Sequence, residues 1–271
     1  MIISDYHIHS SFSGDSVEDL DRICRKAKEL GIKEIAITDH MDLDVIGTTN
    51  SNDFMLNLDE YVPTILKLKD QYKDDLDIKL GMEFGIQRHL GEVGDKIIEK
   101  YPFDFIISSV HSVDKLLLDQ KEFWENKSRE QAHDKYFLEI LKSVENFNGF
   151  SVQGHLDFIT RYGGIDKKGF IDYIRYQDII DEILKKIISK GKGIEINTSG
   201  IRYNENRFYP CDDIIKRYFK LGGEILTIGS DSHKASDLGK DFKKAYDFLE
   251  NIGVKYISSF DQLDVSFKKI K

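Results

Sequence analysis

The chain has 271 residues, 40% hydrophobic and 32% charged, with a formal net charge of −9 and a mean hydropathy of −0.41. This suits a soluble domain with a substantial core, and one α/β barrel domain can cover residues 1–271. An acidic balance with no basic run among aromatics argues against a broad nucleic-acid surface, where cations must neutralise phosphates.

No basic leader precedes an apolar stretch, no window approaches a membrane span, and the two cysteines, Cys24 and Cys211, stand alone. The expected setting is the cytoplasm, with both thiols reduced and no membrane involved. Along the chain, short β-branched runs alternate with segments of helical period, as parallel βα units require. The first strand is expected at Ile2 to Tyr6. After it, Ser16 and Asp19 resemble a capping box, and Leu20, Ile23, Ala27 and Leu30 recur at helical spacing until Gly31. Strands follow at Glu34 to Thr38, Ile78 to Met82, Phe105 to Ser109 and Ser151 to Gly154, with a helix around Gln131 to Leu141.

The apolar stripe of Ile179, Ile180, Ile183, Leu184, Ile187 and Ile188 ends near Gly191 and leads to strands at Gly193 to Asn197 and Ile225 to Gly229. A helix carrying Phe242, Ala245, Phe248 and Leu249 precedes a weaker strand around Lys255 to Ser258, a candidate for an eighth position. The expected fold is a distorted, seven-stranded (β/α)7 TIM-like barrel. Pro63, Pro102 and Pro210 fall near expected element starts, and no linker divides the chain. Three stretches exceed simple connections: Asp42 to Leu58, Ser112 to Lys127 and Thr160 to Tyr173. Each follows a strand's C-terminal end, where a barrel carries its binding loops, so they are candidate walls or lids.

Six of the eight histidines, His7, His9, His40, His111, His155 and His233, lie at or just beyond the end of an expected strand. In a closed parallel barrel those ends share one face, which also receives Asp39, Glu83 and Asp231. His7 and His9 are two apart on an extended segment, which turns both imidazoles to one side and suits chelation of one ion. A single histidine needs no metal, but six at one rim point to ligation. Imidazoles with carboxylates and no thiolate favour Zn, Mn or Fe over a cysteine-rich structural zinc site. His89 and His133 lack strand-end positions and are expected not to ligate, although Arg88 and His89 follow Glu83 closely enough to line a pocket. The Glu195-Ile196-Asn197 strand end is open between substrate contact and barrel support. There is no Gly-x-Ser-x-Gly elbow for a serine nucleophile.

The ordered series His7-x-His9, Asp39-His40, Glu83, His111, His155 and Asp231-x-His233 resembles the PHP (polymerase and histidinol phosphatase) family across nearly the whole chain. The resemblance implies a barrel holding up to three metal ions. It places His7, His9, Glu83 and Asp231 around the first, Glu83 bridging to a second with His111 and His155, and His40 with His233 on the third. Many members carry a further histidine shortly after the first motif; Asp15 stands there, and the resemblance assigns it to the third metal.

Chain length, motif spacing, and Arg161 and Arg202 beyond two strand ends are similar to the stand-alone histidinol-phosphate phosphatases. The implied reaction is hydrolysis of a small phosphomonoester, with L-histidinol phosphate favoured over nucleotide or sugar phosphates. Its cofactors are two or three divalent transition metal ions (Zn, Mn or Fe), with a bridging hydroxide as nucleophile. Arg161 and Arg202 are expected to fork onto the phosphate, Asp231 or His233 to protonate the leaving group, and Asp39 to orient a ligand imidazole. A non-catalytic metal-binding module is the competing class.

Overall fold

A computed structural model of the chain describes residues 3–46, 54–162, 171–203 and 205–270. The first half contains β1 (Ser4–Ile8), α1 (Leu20–Glu29), β2 (Glu34–Ile37), β3 (His40–Asp42), α2 (Leu58–Tyr72), β4 (Asp77–Gly85), α3 (Gly91–Lys100) and β5 (Phe105–Ser109). A hairpin of β6 (Ser112–Val113) and β7 (Leu116–Leu117), then α4 (Lys121–Trp124), lead to α5 (Arg129–Asn146) and β8 (Val152–Gln153). The rest comprises α6 (Tyr173–Ser189), β9 (Gly193–Asn197), α7 (Ser199–Arg202), α8 (Asp212–Lys220), β10 (Leu226–Gly229), α9 (Phe242–Asn251), β11 (Tyr256–Asp261) and β12 (Asp264–Lys269).

Seven parallel strands follow the order β1-β2-β4-β5-β8-β9-β10, with β3 added beside β4. The strands β1, β2, β5 and β9 are buried at every residue, as parallel strands must be when helices cover the outside and side chains fill the barrel. Among the described residues, no ladder joins β10 to β1. Closure instead runs through the Ile8–Ser232 bridge, where His9 N donates to Ser232 O at 2.9 Å. The result is the expected distorted, nearly closed seven-stranded barrel. Among the described residues, no helix is long and apolar enough to cross a membrane.

Several local expectations shift. The first strand lies two residues later than its apolar run, because Ile8 accepts from Thr38 N and stays paired to the rim. Asp19, not Ser16, caps α1: its carboxylate accepts from Arg22 N at 3.0 Å, a bond worth about 1 kcal/mol, while Ser16 Oγ donates to His233 O. Gly31 ends that helix with φ +72. Pro63 sits inside α2 and not at its start. The fourth strand, β4, runs on to Gly85 because β3 pairs with its second half, matching His40 to Glu83, while β5 matches Glu83 to Ile107 on the other side.

The candidate eighth strand is no barrel strand. It forms β11, antiparallel to β12, across a Gln262-Leu263 turn in which both residues have positive φ. This hairpin seals the barrel's N-terminal mouth: Ser258 Oγ accepts from Leu226 N, and Phe260 packs among Tyr6, Ala36, Phe105, Ile107 and Val152. The opposite mouth is therefore the one left for chemistry. Both cysteines are free, and burial pushes each thiol up to about 12, so neither offers a thiolate near neutrality.

Candidate metal centre and active site

Alternation along β1 turns His7 inward, and His9 follows on the same side just past the strand; their rings lie 5.0 Å apart. The site is organised around Glu83, held deep in β4. Its Oε1 lies 2.9 Å from His155 Nε2 and 3.2 Å from His111 Nε2, and it accepts from Ser109 Oγ at 2.6 Å. Its Oε2 faces His40 Nδ1 at 3.0 Å, His7 Nε2 at 3.1 Å and His9 Nε2 at 3.5 Å. Asp231 Oδ1 approaches His9 Nε2 and His233 Nδ1 at 3.5 and 3.6 Å. Asp15 Oδ2 lies 2.9 Å from His233 Nε2 and 3.6 Å from His40 Nε2.

All nine residues expected to ligate metal are thus brought together. Donor atoms of three sets lie mutually within 4.8 Å: His9, Asp15, His40 and His233; His7, His9 and Glu83; and His40, Glu83 and His111. Buried polar atoms normally find partners, yet His7 Nε2, His9 Nε2, His40 Nδ1 and Glu83 Oε2 make no hydrogen bond while facing one another. Divalent cations would satisfy these atoms together, so the donor set fits bound metal.

The electrostatics agree. Burial works against the charge on Glu83, but His7, His111 and His40 outweigh it and hold the carboxyl well below its usual range. Burial likewise pushes His111 down, yet Asp42 and Glu83 raise it to about 10. His9, buried and next to the cationic His233 and His40, falls to about 3 and keeps a free lone pair.

The surrounding residues fix ring orientations. His7 Nδ1 lies 2.6 Å from Glu195 Oε1, which leaves Nε2 facing the cluster; Glu195 thus braces the His7 imidazole from within the barrel. Asp39 touches no imidazole directly. It accepts from Ser10 N, Ser10 Oγ and Ser13 Oγ, and Ser13 Oγ in turn lies 3.1 Å from His9 Nδ1.

The cleft above the cluster has a volume of about 680 Å³. Parts of all three long stretches line it: Asp42 and Phe54, then Leu117 to Asp119, then Arg161 and Tyr162. Residues 47–53 and 163–170 of those stretches lie outside the described residues. Arg161 is wrapped by Tyr203 and Phe158, its Cζ 3.7 and 4.9 Å from the ring centroids, and its buried Nη2 lacks a hydrogen-bond partner.

Arg202 departs from expectation. It does not line the cleft; its Nη1 and Nη2 donate to the carbonyls of Ser230 and Asp231 at 2.9 and 2.6 Å. Arg88 and His89 also miss the cleft, bound to Glu139 and Asp44. His133 is buried in α5 beside Tyr176 and Trp124, away from the cluster.

A family model described as the PHP domain matches residues 5–199. The chain belongs to the PHP family. Over 98% of each chain, this PHP protein is 36% identical to the histidinol-phosphatase of Lactococcus lactis. It is 32% identical to a Clostridium acetobutylicum protein named as a probable histidinol-phosphatase, over 94% of this chain and 95% of the other. A crystal structure of histidinol phosphate phosphatase from Lactococcus lactis, complexed with zinc, L-histidinol and phosphate, superposes with a TM-score of 0.89. The two are 34% identical over 97% of this chain and 98% of that one.

Asp42 was missed in the sequence, although its spacing of two from His40 repeats that of His7 and His9. Its Oδ1 lies 2.8 Å from His111 Nδ1, which turns Nε2 of that ring toward Glu83. Gly85 makes the room: a Cβ there would lie 1.9 Å from Asp42 Oδ1. Gly85→Ala is therefore expected to dislodge Asp42 from His111 and lower zinc affinity or kcat by about 10- to 100-fold, the usual cost of losing a group that orients a ligand. Metal titration and steady-state kinetics check this, and wild-type values in the folded variant would remove Asp42 from that role.

Proposed function

We propose that this PHP protein is a histidinol-phosphatase, a metal-dependent phosphoric monoester hydrolase converting L-histidinol phosphate and water to L-histidinol and phosphate in histidine biosynthesis. The observation that carries the reading is a single cleft in which the imidazole and carboxylate cluster, Arg161 and Asp119 face the same space. It is supported by the zinc, L-histidinol and phosphate held by the Lactococcus lactis relative.

His7, His9, Asp15, His40, Glu83, His111, His155, Asp231 and His233 would hold two or three divalent ions. When bound, such ions supply Lewis acidity and lower the pKa of a coordinated water toward about 7. The chain's own groups do the rest. Arg161 presents a partly desolvated fork to the phosphate oxygens, where charge develops during transfer. Phe54, Phe158, Tyr162 and Tyr203 offer flat apolar surface to the organic part of the substrate.

Asp119 has no ion-pair partner among the described residues and suits a cationic amine on the leaving alcohol, a group that sugar and nucleotide phosphates lack at that position. The departing alkoxide needs a proton. The Asp231–His233 pair is assigned to deliver it: both line the cleft, and Asp15 steadies His233 Nε2 while Nδ1 faces Asp231.

A panel of monoesters tests the reading. Histidinol phosphate should exceed p-nitrophenyl phosphate, sugar phosphates and nucleoside monophosphates in kcat/KM; equal values would reject the substrate, and inertness of the metal-loaded protein toward every ester would favour a binding module. Arg161→Lys keeps the charge but loses the fork, and should lower kcat/KM about 10- to 100-fold with metal content unchanged, the worth of a hydrogen bond to a charged group. Unaltered kinetics would remove Arg161 from phosphate recognition.

A further inference from the structure

Asp231 carries its carboxylate on a backbone with φ +53, a left-handed conformation that residues with a Cβ rarely adopt. The sheet does little to impose it. The ladder of β10 on β9 ends at Gly229, and on the other side, among the described residues, the Ile8–Ser232 bridge is the sole pairing. Two side chains, a carboxyl from β1 and a guanidinium from α7, hold the turn instead. From β1, the fully buried Asp5 accepts Ser230 N on Oδ1 and Gly239 N on Oδ2, both at 2.9 Å. From α7, Arg202 donates Nη1 to Ser230 O and Nη2 to Asp231 O. The Ser230–Asp231 segment is gripped by its N–H on one side and two carbonyls on the other, and neither gripping side chain lines the cleft.

We propose that Asp5 and Arg202 are positioning residues that set Asp231, and His233 two residues on, in the geometry of the metal centre. The inference rests on the reading of Asp231 as a ligand. Asparagine at position 5 offers one acceptor oxygen where Asp5 takes Ser230 N, Gly239 N and, at 3.4 Å, His7 N, and lysine at position 202 cannot span two carbonyls. Because both act on one turn, their effects should overlap.

The test uses the full-length protein as wild type, Asp5→Asn, Arg202→Lys, the double variant and Asp231→Asn. Each is loaded with cobalt(II) to read ligand geometry from its visible absorption, titrated with zinc, and assayed. Thermal unfolding of the metal-free forms confirms folding. Asp5→Asn and Arg202→Lys should each shift the cobalt bands and weaken zinc or kcat about 10- to 100-fold, with the double variant losing less than the product of the two. Should Asp5→Asn not fold, Arg202→Lys carries the same readouts alone. An Asp231→Asn protein with wild-type cobalt bands would overturn the ligand reading itself. Altered bands in Asp231→Asn with unaltered bands and zinc affinity in the other variants would overturn the clamp alone. Arg202→Lys with wild-type bands, a raised KM and weaker inhibition by inorganic phosphate would return Arg202 to direct phosphate contact and also overturn it.

Discussion

Replacing Glu83 with glutamine is expected to lower kcat for histidinol phosphate by about three orders of magnitude or more while the barrel stays folded. The size of the effect follows from position: five imidazoles reach this one carboxylate, between 2.9 Å for His155 and 3.5 Å for His9. Glutamine keeps the volume but removes the negative charge and turns one acceptor into a donor aimed at other donors. The Lewis-acid and water-activating contributions that such a site supports are worth several kcal/mol, at about 1.4 kcal/mol per tenfold in rate. Circular dichroism should be unchanged, since the apolar core lies beneath the rim. Metal analysis beside the kinetics checks the cause, and a folded variant with nearly full metal content and turnover would show that Glu83 is not the shared ligand.

Removing metal with a chelator is expected to abolish turnover, lower Tm by roughly 5–10 °C, and leave a protein whose metal affinity rises steeply with pH. A ligand at 100 times its Kd stabilises by about 2.7 kcal/mol, and a chain of this size moves by about 2–4 °C per kcal/mol. The pH dependence has a definite sign. In the metal-free protein, burial lowers His7 and His40, but neighbouring carboxylates outweigh it and hold both well above the usual imidazole value; His111 reaches about 10. These rings are protonated at neutrality and must lose that proton to ligate, so acid favours the metal-free form. Affinity rises with pH from below the ordinary imidazole range toward about 10. Zinc calorimetry in buffers of different ionisation enthalpy should report more than about one proton released per chain. A proton count near zero with pH-independent affinity would contradict this electrostatic account.

Most of the barrel was legible because parallel strands covered on both faces are rich in β-branched residues between helical segments: Phe105–Ser109 and Gly193–Asn197 fall where their β-branched runs place them, with the polar residues toward the strand ends that meet the rim. The histidines and carboxylates of the centre were legible for a related reason. Strand ends of a closed barrel share one rim, so residues as distant as His7 and His233 can be assigned to one place without knowing any distance.

What the tertiary structure alone decided depends on contacts between elements that no local pattern encodes. The β11 segment reads like any other half-apolar run, and its pairing with β12 and its hydrogen bonds to Tyr6 and Leu226 make it a plug beneath the barrel and not an eighth stave. Asp119 is an ordinary loop acid until its loop folds over the cleft. Arg202 has the sequence position of a phosphate ligand, but a long flexible side chain is directed by whichever acceptors lie nearest, and here these are the carbonyls of a turn 28 and 29 residues away. Backbone period determines the side of a strand on which a short side chain emerges; the packing of distant loops determines what a long one finds there.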